Sequence, residues 1–304
     1  MIAAIRNYLG RPHGWFFLLA RLGFFDKMPD EKYLRLVFRY TLGTEPDFEH
    51  PKTFNEKLNW LKLHDHNPLY SRLVDKYEVR SYVAEKVGIE YLIPLVGGPW
   101  DSVEDIDFNS LPDQFVLKCT HDSGSYVICT DKAKLDRKAA KSRLAKRLKR
   151  NYYLTNREWP YLGVKPRVLA EAFLKDDLTV ELLDYKFFCF DGVPRVLYVS
   201  NDQNKHPRTD FYDMDFKRLP FKMKDEPSEN GYLKPVCFEE MKQLAKRLSE
   251  GIPHVRMDFY CVNGRPYFGE FTMYHNSGFQ SITPPEWNDI MGSWIHLPCD
   301  EEQP

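Results

Sequence analysis

Two alternating apolar runs joined by an Asn-Gly pair constrain the fold more than any other feature of this sequence. The runs cover residues 254–262 and 266–272, and Asn263-Gly264 lies between them. Asn-Gly in this setting is typical of a β-hairpin, because both residues tolerate the left-handed backbone of a tight turn. The sequence therefore predicts an antiparallel strand pair here.

The pairing register of this hairpin decides which side chains share a face of the sheet. A two-residue loop would place Asp258 and Glu270 on opposite faces. A three-residue loop, 263–265, places Asp258 opposite Glu270 and Arg256 opposite Thr272 on one polar face. The other face is then apolar and carries Val255, Met257, Phe259, Cys261, Tyr267 and Phe271. This sorting favours the three-residue loop or an equivalent bulge.

Two carboxylates that lie opposite each other repel unless a positive group lies between them. Their oxygens suit Mg²⁺, which takes one or two carboxylates and completes its shell with nucleotide phosphates and water. Asp258 and Glu270 are therefore candidate Mg²⁺ ligands. In the alternative interpretation, Arg256 or a lysine neutralises the pair in an ordinary surface network.

A second hairpin is predicted upstream. The apolar run 115–117 precedes Lys118, a polar link at 121–125 follows, and a second run occupies 126–128. One ammonium and several backbone N–H groups at such a tip could bind a triphosphate. The sequence matches neither the P-loop nor the Rossmann glycine pattern, so neither classical nucleotide site is supported.

Helices are predicted before and between these strands. Residues 1–50 are aromatic and basic, which is typical of a helix packed on its own core or, less favoured, of one lying on a membrane. Thr53 and Glu56 have capping-box spacing, and a further helix is predicted over 67–88. The ten Lys and Arg residues of 132–150 indicate a basic helix that is either solvated or docks a polyanion.

Composition limits the class of protein. The chain has 304 residues with 43 Lys plus Arg against 44 Asp plus Glu, which excludes a dedicated nucleic-acid coat. We expect no nucleic-acid partner. No apolar run approaches the roughly 20 residues of a membrane span, so a soluble protein is expected. The six cysteines have no CxxC spacing and lie mostly among apolar strand residues, which indicates reduced thiols in a cytoplasmic protein. The inner face of the membrane is an alternative location. The polar segment 200–231 is predicted to be a long loop, with His206 and Arg208 as candidate acceptor-site residues.

Several uncommon strings in order resemble an ATP-grasp enzyme, specifically the TupA-like branch linked to teichuronopeptide and capsular polysaccharide synthesis. They span roughly residues 30–285. The strings are Phe54-Asn-Glu-Lys57, Asp75-Lys-Tyr-Glu-Val-Arg80, Leu111-Pro-Asp-Gln-Phe-Val-Leu-Lys118, His121-Asp-Ser-Gly124, Asp184-Tyr-Lys-Phe-Phe-Cys-Phe-Asp-Gly192 and Phe268-Gly-Glu-Phe-Thr272.

The resemblance implies an α+β fold in which two subdomains clasp ATP. It divides the chain into a helical N-terminal region at 1–50, further helices and a nucleotide-lid subdomain at 51–175, and a subdomain with the Mg²⁺-binding hairpin at 176–304.

The resemblance also implies roles for individual residues. Lys118 would bind the α- and β-phosphates, His121, Ser123, Gly124 and Ser125 would belong to the loop over the γ-phosphate, and Glu171 would lie beside the adenine. The backbone of Ala172, Phe173 and Leu174 would read the base, and Asp184 or Lys186 would lie near the ribose and phosphates. With Lys118 and His121, Arg256 is a candidate catalytic residue that would hold the transferred phosphoryl group.

The metal and acceptor sites follow from the same resemblance. Asp258 and Glu270 would bind Mg²⁺, and Thr272 stands where many ATP-grasp enzymes have a third ligand, Asn. One or two ions therefore remain alternatives. The loop His275, Asn276, Ser277 and Gly278 would bind the acceptor or an oxyanion, unless it is only the end of a strand.

The activity that the resemblance implies is ATP-dependent ligation of a carboxylate to an amine through an acyl phosphate. The expected partners are a uronic acid of a bacterial surface polysaccharide and an amino acid or amine, with release of ADP and phosphate. Alternatives are a kinase on the same scaffold, a glycosyltransferase of the same pathway, or a nucleotide-binding scaffold. Asp213-Met-Asp215 has the spacing of a glycosyltransferase DxD motif but lies in the long loop.

Overall fold

The computed structural model describes residues 13–177, 182–201 and 207–298. In these ranges the strands form two antiparallel sheets, with orders β1-β4-β2-β3 and β7-β6-β5-β8-β9. Strands and helices together confirm the predicted α+β fold. The strands are β1 Leu95–Trp100, β2 Phe115–Cys119, β3 Tyr126–Cys129, β4 Val168–Ala172, β5 Asp184–Phe190, β6 Val193–Ser200, β7 Thr209–Tyr212, β8 His254–Val262 and β9 Arg265–Thr272.

Helices cover the outer side of each sheet and form the N-terminal region. No helix of the described residues has the length and apolarity needed to cross a membrane. The α-helices are α1 Gly14–Arg21, α2 Asp30–Leu42, α3 Phe54–His64, α4 Leu69–Val74, α5 Val79–Lys86, α6 Arg137–Leu148, α7 Tyr153–Asn156, α8 Phe238–Leu248 and α9 Glu286–Ser293.

The smaller sheet has one apolar and one polar face. Along β2, Phe115, Leu117 and Cys119 are fully buried in a core that also contains Leu144 of the basic helix α6. Because side chains alternate along a strand, Lys118 lies on the opposite face. The predicted hairpin of β2 and β3 is confirmed, and it leaves Lys118 free to face the other sheet.

The larger sheet belongs to a second core, which also contains residues of α3, α4, α5 and α8. Phe54 and Leu58 of α3 and Val83 of α5 are buried with Phe187 and Met257 of the sheet. Helices that precede the smaller sheet in the sequence therefore pack on the larger sheet, whose strands follow it in the sequence. The division of the chain at residues 50 and 175 stays a prediction.

The turn between β8 and β9 differs from the predicted three-residue loop. Asn263 and Gly264 have φ angles of 51° and 77° and form a two-residue turn, so the prediction of a third loop residue is wrong. A bulge at Gly269 then shifts the register, and Asp258 lies opposite Glu270 as predicted. The alternative of an equivalent bulge is confirmed. The bulge also reverses one assignment, since Phe268 rather than Tyr267 packs in the core.

Gly269 has little room for a side chain. A Cβ atom there would lie 3.1 Å from the Asp258 carbonyl oxygen and 3.2 Å from the Tyr260 ring. We expect Gly269→Ala to lower the free energy of unfolding by about 1–2 kcal/mol, because neighbouring atoms must shift. Urea denaturation measures this, and Gly163→Ala is the matched control, since nothing lies within 4 Å of its added Cβ. Equal stability of the two variants would contradict the prediction.

Two other predictions of local structure need correction. The predicted helix over 67–88 is two helices, α4 and α5, because the Asp75 carboxylate accepts the backbone N–H groups of Tyr77 and Glu78 and turns the chain. The predicted loop over 200–231 contains β7, whose backbone pairs with β6.

Candidate active site

A cleft of 1130 Å³ lies between the two sheets and receives polar side chains from both. From the smaller sheet and the chain next to it, the predicted residues that line it are Lys118, Ser123, Gly124, Ser125, Glu171, Ala172, Phe173 and Leu174. From the larger sheet and the turn after it, they are Asp184, Lys186, Arg256, Asp258, Glu270, Thr272, His275, Asn276 and Ser277.

Lys118 and Glu171 form an ion pair on the wall made by the smaller sheet. The register of β2 and β4 places Glu171 opposite Val116. Val116 precedes Lys118 by two residues, so Glu171 and Lys118 lie on the same face of the sheet. The Lys118 Nζ lies 2.6 Å from Glu171 Oε2, and Arg80 Nη1 lies 3.3 Å from Oε1. Burial alone would lower the pKa of Lys118, but Glu171, together with Glu270 and Asp184, raises the pKa above its usual value. The lysine is therefore a permanent cation in the cleft.

A row of polar side chains crosses the larger sheet. Strand pairing places Glu270 opposite Asp258, Asp258 opposite Lys186, and Lys186 opposite Tyr198. The row therefore begins with two neighbouring carboxylates, and the Lys186 ammonium and the Tyr198 phenol follow them. Asp184 lies two residues before Lys186 on β5, on the same face of the sheet.

Arg256 ties the Asp258 carboxylate to the turn that follows β9. Its Nε and Nη2 atoms donate to the two Asp258 oxygens over 2.7 and 2.6 Å, and its Nη1 lies 2.7 Å from Nδ1 of His275. Burial opposes the charge on Arg256, but Asp258, together with Glu270 and Tyr198, raises the pKa of the guanidinium. Burial, with Arg256 and Lys186, holds the pKa of His275 well below its usual range, so His275 is neutral and accepts this bond.

Lys76 is a cleft residue for which the sequence reasoning assigned no role. The turn between α4 and α5 carries it into the cleft, where its Nζ donates to the Asp122 carbonyl over 2.6 Å and lies 3.6 Å from Glu270 Oε2. Burial would raise the pKa of Glu270, but four cations, Lys76 first, hold it below its usual range. The string 75–80 pointed to this segment without indicating which side chain enters the cleft.

The loop between β2 and β3 combines open and anchored positions. Gly124 has a φ of 76° and no atom within 4 Å of an added Cβ, so its backbone is open to a ligand. Ser125 donates to the Asp122 carboxylate, which anchors the base of the loop. His121 departs from its predicted role over the γ-phosphate, because it is buried and its Nε2 lies 3.1 Å from the Arg147 carbonyl of α6.

Gly278, Arg208 and the Asp213-Met-Asp215 spacing lie outside the cleft, and His206 cannot be placed. The Gly278 carbonyl accepts from Asn59 of α3, which is a structural contact. The Arg208 side chain reaches the Pro227 carbonyl on an exposed surface. Asp213 accepts the N–H groups of Asp215 and Lys217, so the DxD spacing closes a turn. His206 lies outside the described residues.

The donor set of the cleft fits Mg²⁺ held jointly with nucleotide phosphates. Within the described ranges no group of three or more His, Cys, Asp or Glu side chains could hold a metal on its own. Asp258 and Glu270 supply the two carboxylates that Mg²⁺ accepts beside phosphate and water oxygens, and Thr272 adds a hydroxyl on the same face. Since Arg256 occupies both Asp258 oxygens, metal binding would compete with this ion pair.

Two antiparallel sheets that close on a cleft with a lysine on one wall and paired carboxylates on the other define an ATP-grasp protein. The chain belongs to the TupA-like ATPgrasp family, whose model matches residues 56–296. No curated protein sequence matches it.

Solved structures similar to this chain include several ligases. The D-alanine–D-alanine ligase of Helicobacter pylori is 14% identical, with a TM-score of 0.45 over 81% of this chain and 70% of that one. The Bacillus anthracis ligase in complex with ATP is 16% identical, with a TM-score of 0.38 over 67% of this chain. The chain spans only 55% of the length of the Bacillus anthracis enzyme. The ATP-grasp ligase PsnB is 11% identical, with a TM-score of 0.38 over 72% of this chain and 60% of PsnB.

Proposed function

We propose that this protein is an ATP-dependent carboxylate–amine ligase that acts through an acyl phosphate and releases ADP and phosphate. The acceptor would be the carboxylate of a uronic acid in a bacterial capsular or other surface polysaccharide, and the nucleophile an amino acid or amine. One observation carries the proposal: the cleft presents Lys118 on one sheet and Arg256, Lys186, Asp258 and Glu270 on the other.

This arrangement suits transfer of a phosphoryl group from ATP to a carboxylate. Such a transfer needs alignment and charge neutralisation more than a protein nucleophile. Lys118 would bind the α- and β-phosphates, the open backbone at Gly124 would cover the γ-phosphate, and Glu171 with residues 172–174 would face the adenine. Bound Mg²⁺ would neutralise phosphate charge, held by Asp258 and Glu270.

The larger sheet would position the acceptor carboxylate. Arg256 and Lys186 are cations that lie against the carboxylates of the row, so they can hold a second anion beside the γ-phosphate. The neutral ring of His275 fixes the orientation of Arg256 through their contact. The uronic acid is proposed because its carboxylate is the group that ATP would activate, and because the TupA-like strings resemble enzymes of surface polysaccharides.

Turnover tests the proposal. We expect wild-type protein to release ADP from ATP and Mg²⁺ only when glucuronate oligosaccharides and amino acids are present. Glu270→Gln should slow this release by about 10²-fold, because it removes one half of the acidic pair. Glu250→Gln is the matched control, since Glu250 is 76% exposed and pairs with Lys86 on the surface. Mass spectrometry of the glycan identifies the amide product, and equal ADP release by the two variants would refute the assigned site.

A further inference from the structure

A buried polar network lies at one side of the cleft, and its central residue has no role in the assignments made above to ATP, metal and acceptor carboxylate. Its centre is Glu158, which is 6% exposed and lines the cleft. Ser277 Oγ donates to Glu158 Oε1 over 2.5 Å, and Asn156 Nδ2 donates to the same serine oxygen over 2.9 Å. The carboxylate is therefore held in one orientation.

Lys62 binds the backbone carbonyl groups of two residues of this network. Its buried ammonium donates to Asn59 Oδ1 over 3.0 Å and to the carbonyls of Asn156 and Ser277 over 3.2 and 2.6 Å. The Phe279 ring lies 4.4 Å from the same Nζ. These contacts use the three N–H bonds of the lysine, so Lys62 positions the segments that carry Asn156 and Ser277 and is itself enclosed.

One short turn joins the network to the phosphoryl side of the cleft. The turn His275–Gly278 presents His275 to Arg256 and, two residues later, Ser277 to Glu158. Asn276 and Ser277 adopt left-handed φ angles of 45° and 55°, which turn successive side chains in different directions. An acyl group held at Arg256 and a nucleophile held at Glu158 would thus be neighbours.

We propose that Glu158 binds the ammonium of the amine substrate and removes its proton before attack, and that Ser277 and Lys62 are positioning residues for it. This assignment rests on the proposed ligase activity and specifies its second half-reaction. A carboxylate in the wall of the cleft is the group that pairs with an ammonium. Among the described residues, Ser277 donates the one hydrogen bond to the Glu158 carboxylate, at Oε1, and Oε2 is available to a ligand.

In the proposed step, the ammonium of the amine and the acyl phosphate become an amide and inorganic phosphate. The ammonium gives one proton to Glu158 and becomes a neutral amine, whose lone pair forms a bond to the acyl carbon. The bond from that carbon to the phosphate oxygen breaks, and its electron pair leaves with the phosphate. The second proton lost by nitrogen goes to the phosphate, so the products are an amide, HPO₄²⁻ and a protonated Glu158 that returns its proton to water.

The surroundings of Glu158 suit this role. Burial raises the pKa of Glu158, while Lys62, Ser277 and Arg256 oppose the rise without cancelling it. Burial also lowers the pKa of Lys62 to about 7. A base whose pKa lies closer to neutrality is better matched to an amine. The charged and titratable groups that face Glu158 are Lys62, Arg256, Tyr152, Tyr161 and Tyr274.

The test separates the two half-reactions of the same enzyme. Hydroxylamine is largely unprotonated at neutral pH, so it captures the acyl phosphate as a hydroxamate without a base. With ATP, Mg²⁺ and glucuronate oligosaccharides, we expect Glu158→Gln to form hydroxamate within about threefold of wild type but to form the amino-acid amide about 10²-fold more slowly. The amide rate of wild type should fall at low pH, where Glu158 is protonated, and this limb should disappear in the variant.

Equal losses of hydroxamate and amide in Glu158→Gln, or no loss of either, would overturn the role of Glu158 while leaving the ligase intact. Absence of hydroxamate with wild type would overturn the proposed function and this step with it. Ser277→Ala should lower the amide-to-hydroxamate ratio less than Glu158→Gln does. Glu104→Gln, at a carboxylate that is 76% exposed, should leave the ratio unchanged.

Discussion

Replacing Lys118 by Met should lower the ATP-dependent rate by about 10²–10³-fold, which is the cost of removing one positioned cation from a transferring phosphoryl group. Lys118 is the cation that the smaller sheet extends into the cleft from β2, and its only ion-pair partner in the described residues is Glu171. Methionine keeps an unbranched apolar stem of nearly the same length and removes the ammonium, with its charge and its N–H donors. The loss should therefore appear in binding and transfer of the nucleotide.

The fold should tolerate this change. Glu171 keeps Arg80 as a partner at 3.3 Å after Lys118 is replaced, so the buried carboxylate retains a cation. Lys118→Arg preserves the charge and should recover part of the rate. Lys165→Met is the matched control, because Lys165 is 62% exposed and pairs with Asp101 outside the cleft. ATP titrations of ADP release measure the effect, and an unchanged kcat/KM for ATP in Lys118→Met would exclude this lysine from the nucleotide site.

Local patterns in the sequence predicted the parts of the fold that local chemistry determines. The alternation along β2 and β8 identified which residues face the cleft, and the capping box at Thr53 and Glu56 is present at the start of α3. The juxtaposition of Asp258 and Glu270 was also predictable, since only one register separates polar from apolar side chains. The sequence did not distinguish the bulge at Gly269, which produces this register, from a longer turn.

Features that depend on distant contacts were not predictable from such patterns. Strand β1 contains Gly97, Gly98 and Pro99, which have low strand propensity, and it forms because its backbone pairs with β4. Lys76 enters the cleft only because a turn separates α4 from α5. Glu158 carries no motif, and its position depends on Lys62, which lies 96 residues earlier and whose Nζ bonds the neighbouring Asn156 backbone.

Replacing Arg256 should affect both stability and activity. Asp258 is 4% exposed, and Arg256→Met would remove the two hydrogen bonds that now neutralise its carboxylate. Breaking a buried pair from one side typically costs about 3–5 kcal/mol, because the remaining carboxylate loses its hydrogen-bonded partner and Lys186 opposite it compensates only part of the charge. We expect a loss of this size in urea denaturation. ADP release should fall by about 10³-fold, since Arg256 would also hold the acceptor group.

A double-mutant cycle separates the two effects. Asp258→Asn removes the carboxylate charge that loses its guanidinium partner in Arg256→Met. The free energy of unfolding of the double variant should therefore exceed the value expected from the sum of the single changes by about 1–3 kcal/mol. Its activity should not recover, because both the guanidinium and a candidate metal ligand are absent. Strict additivity of the two stability losses would show that the ion pair is energetically unimportant. If the double variant regained ADP release, the pair would be a structural element of the sheet and the catalytic assignment of Arg256 would be wrong.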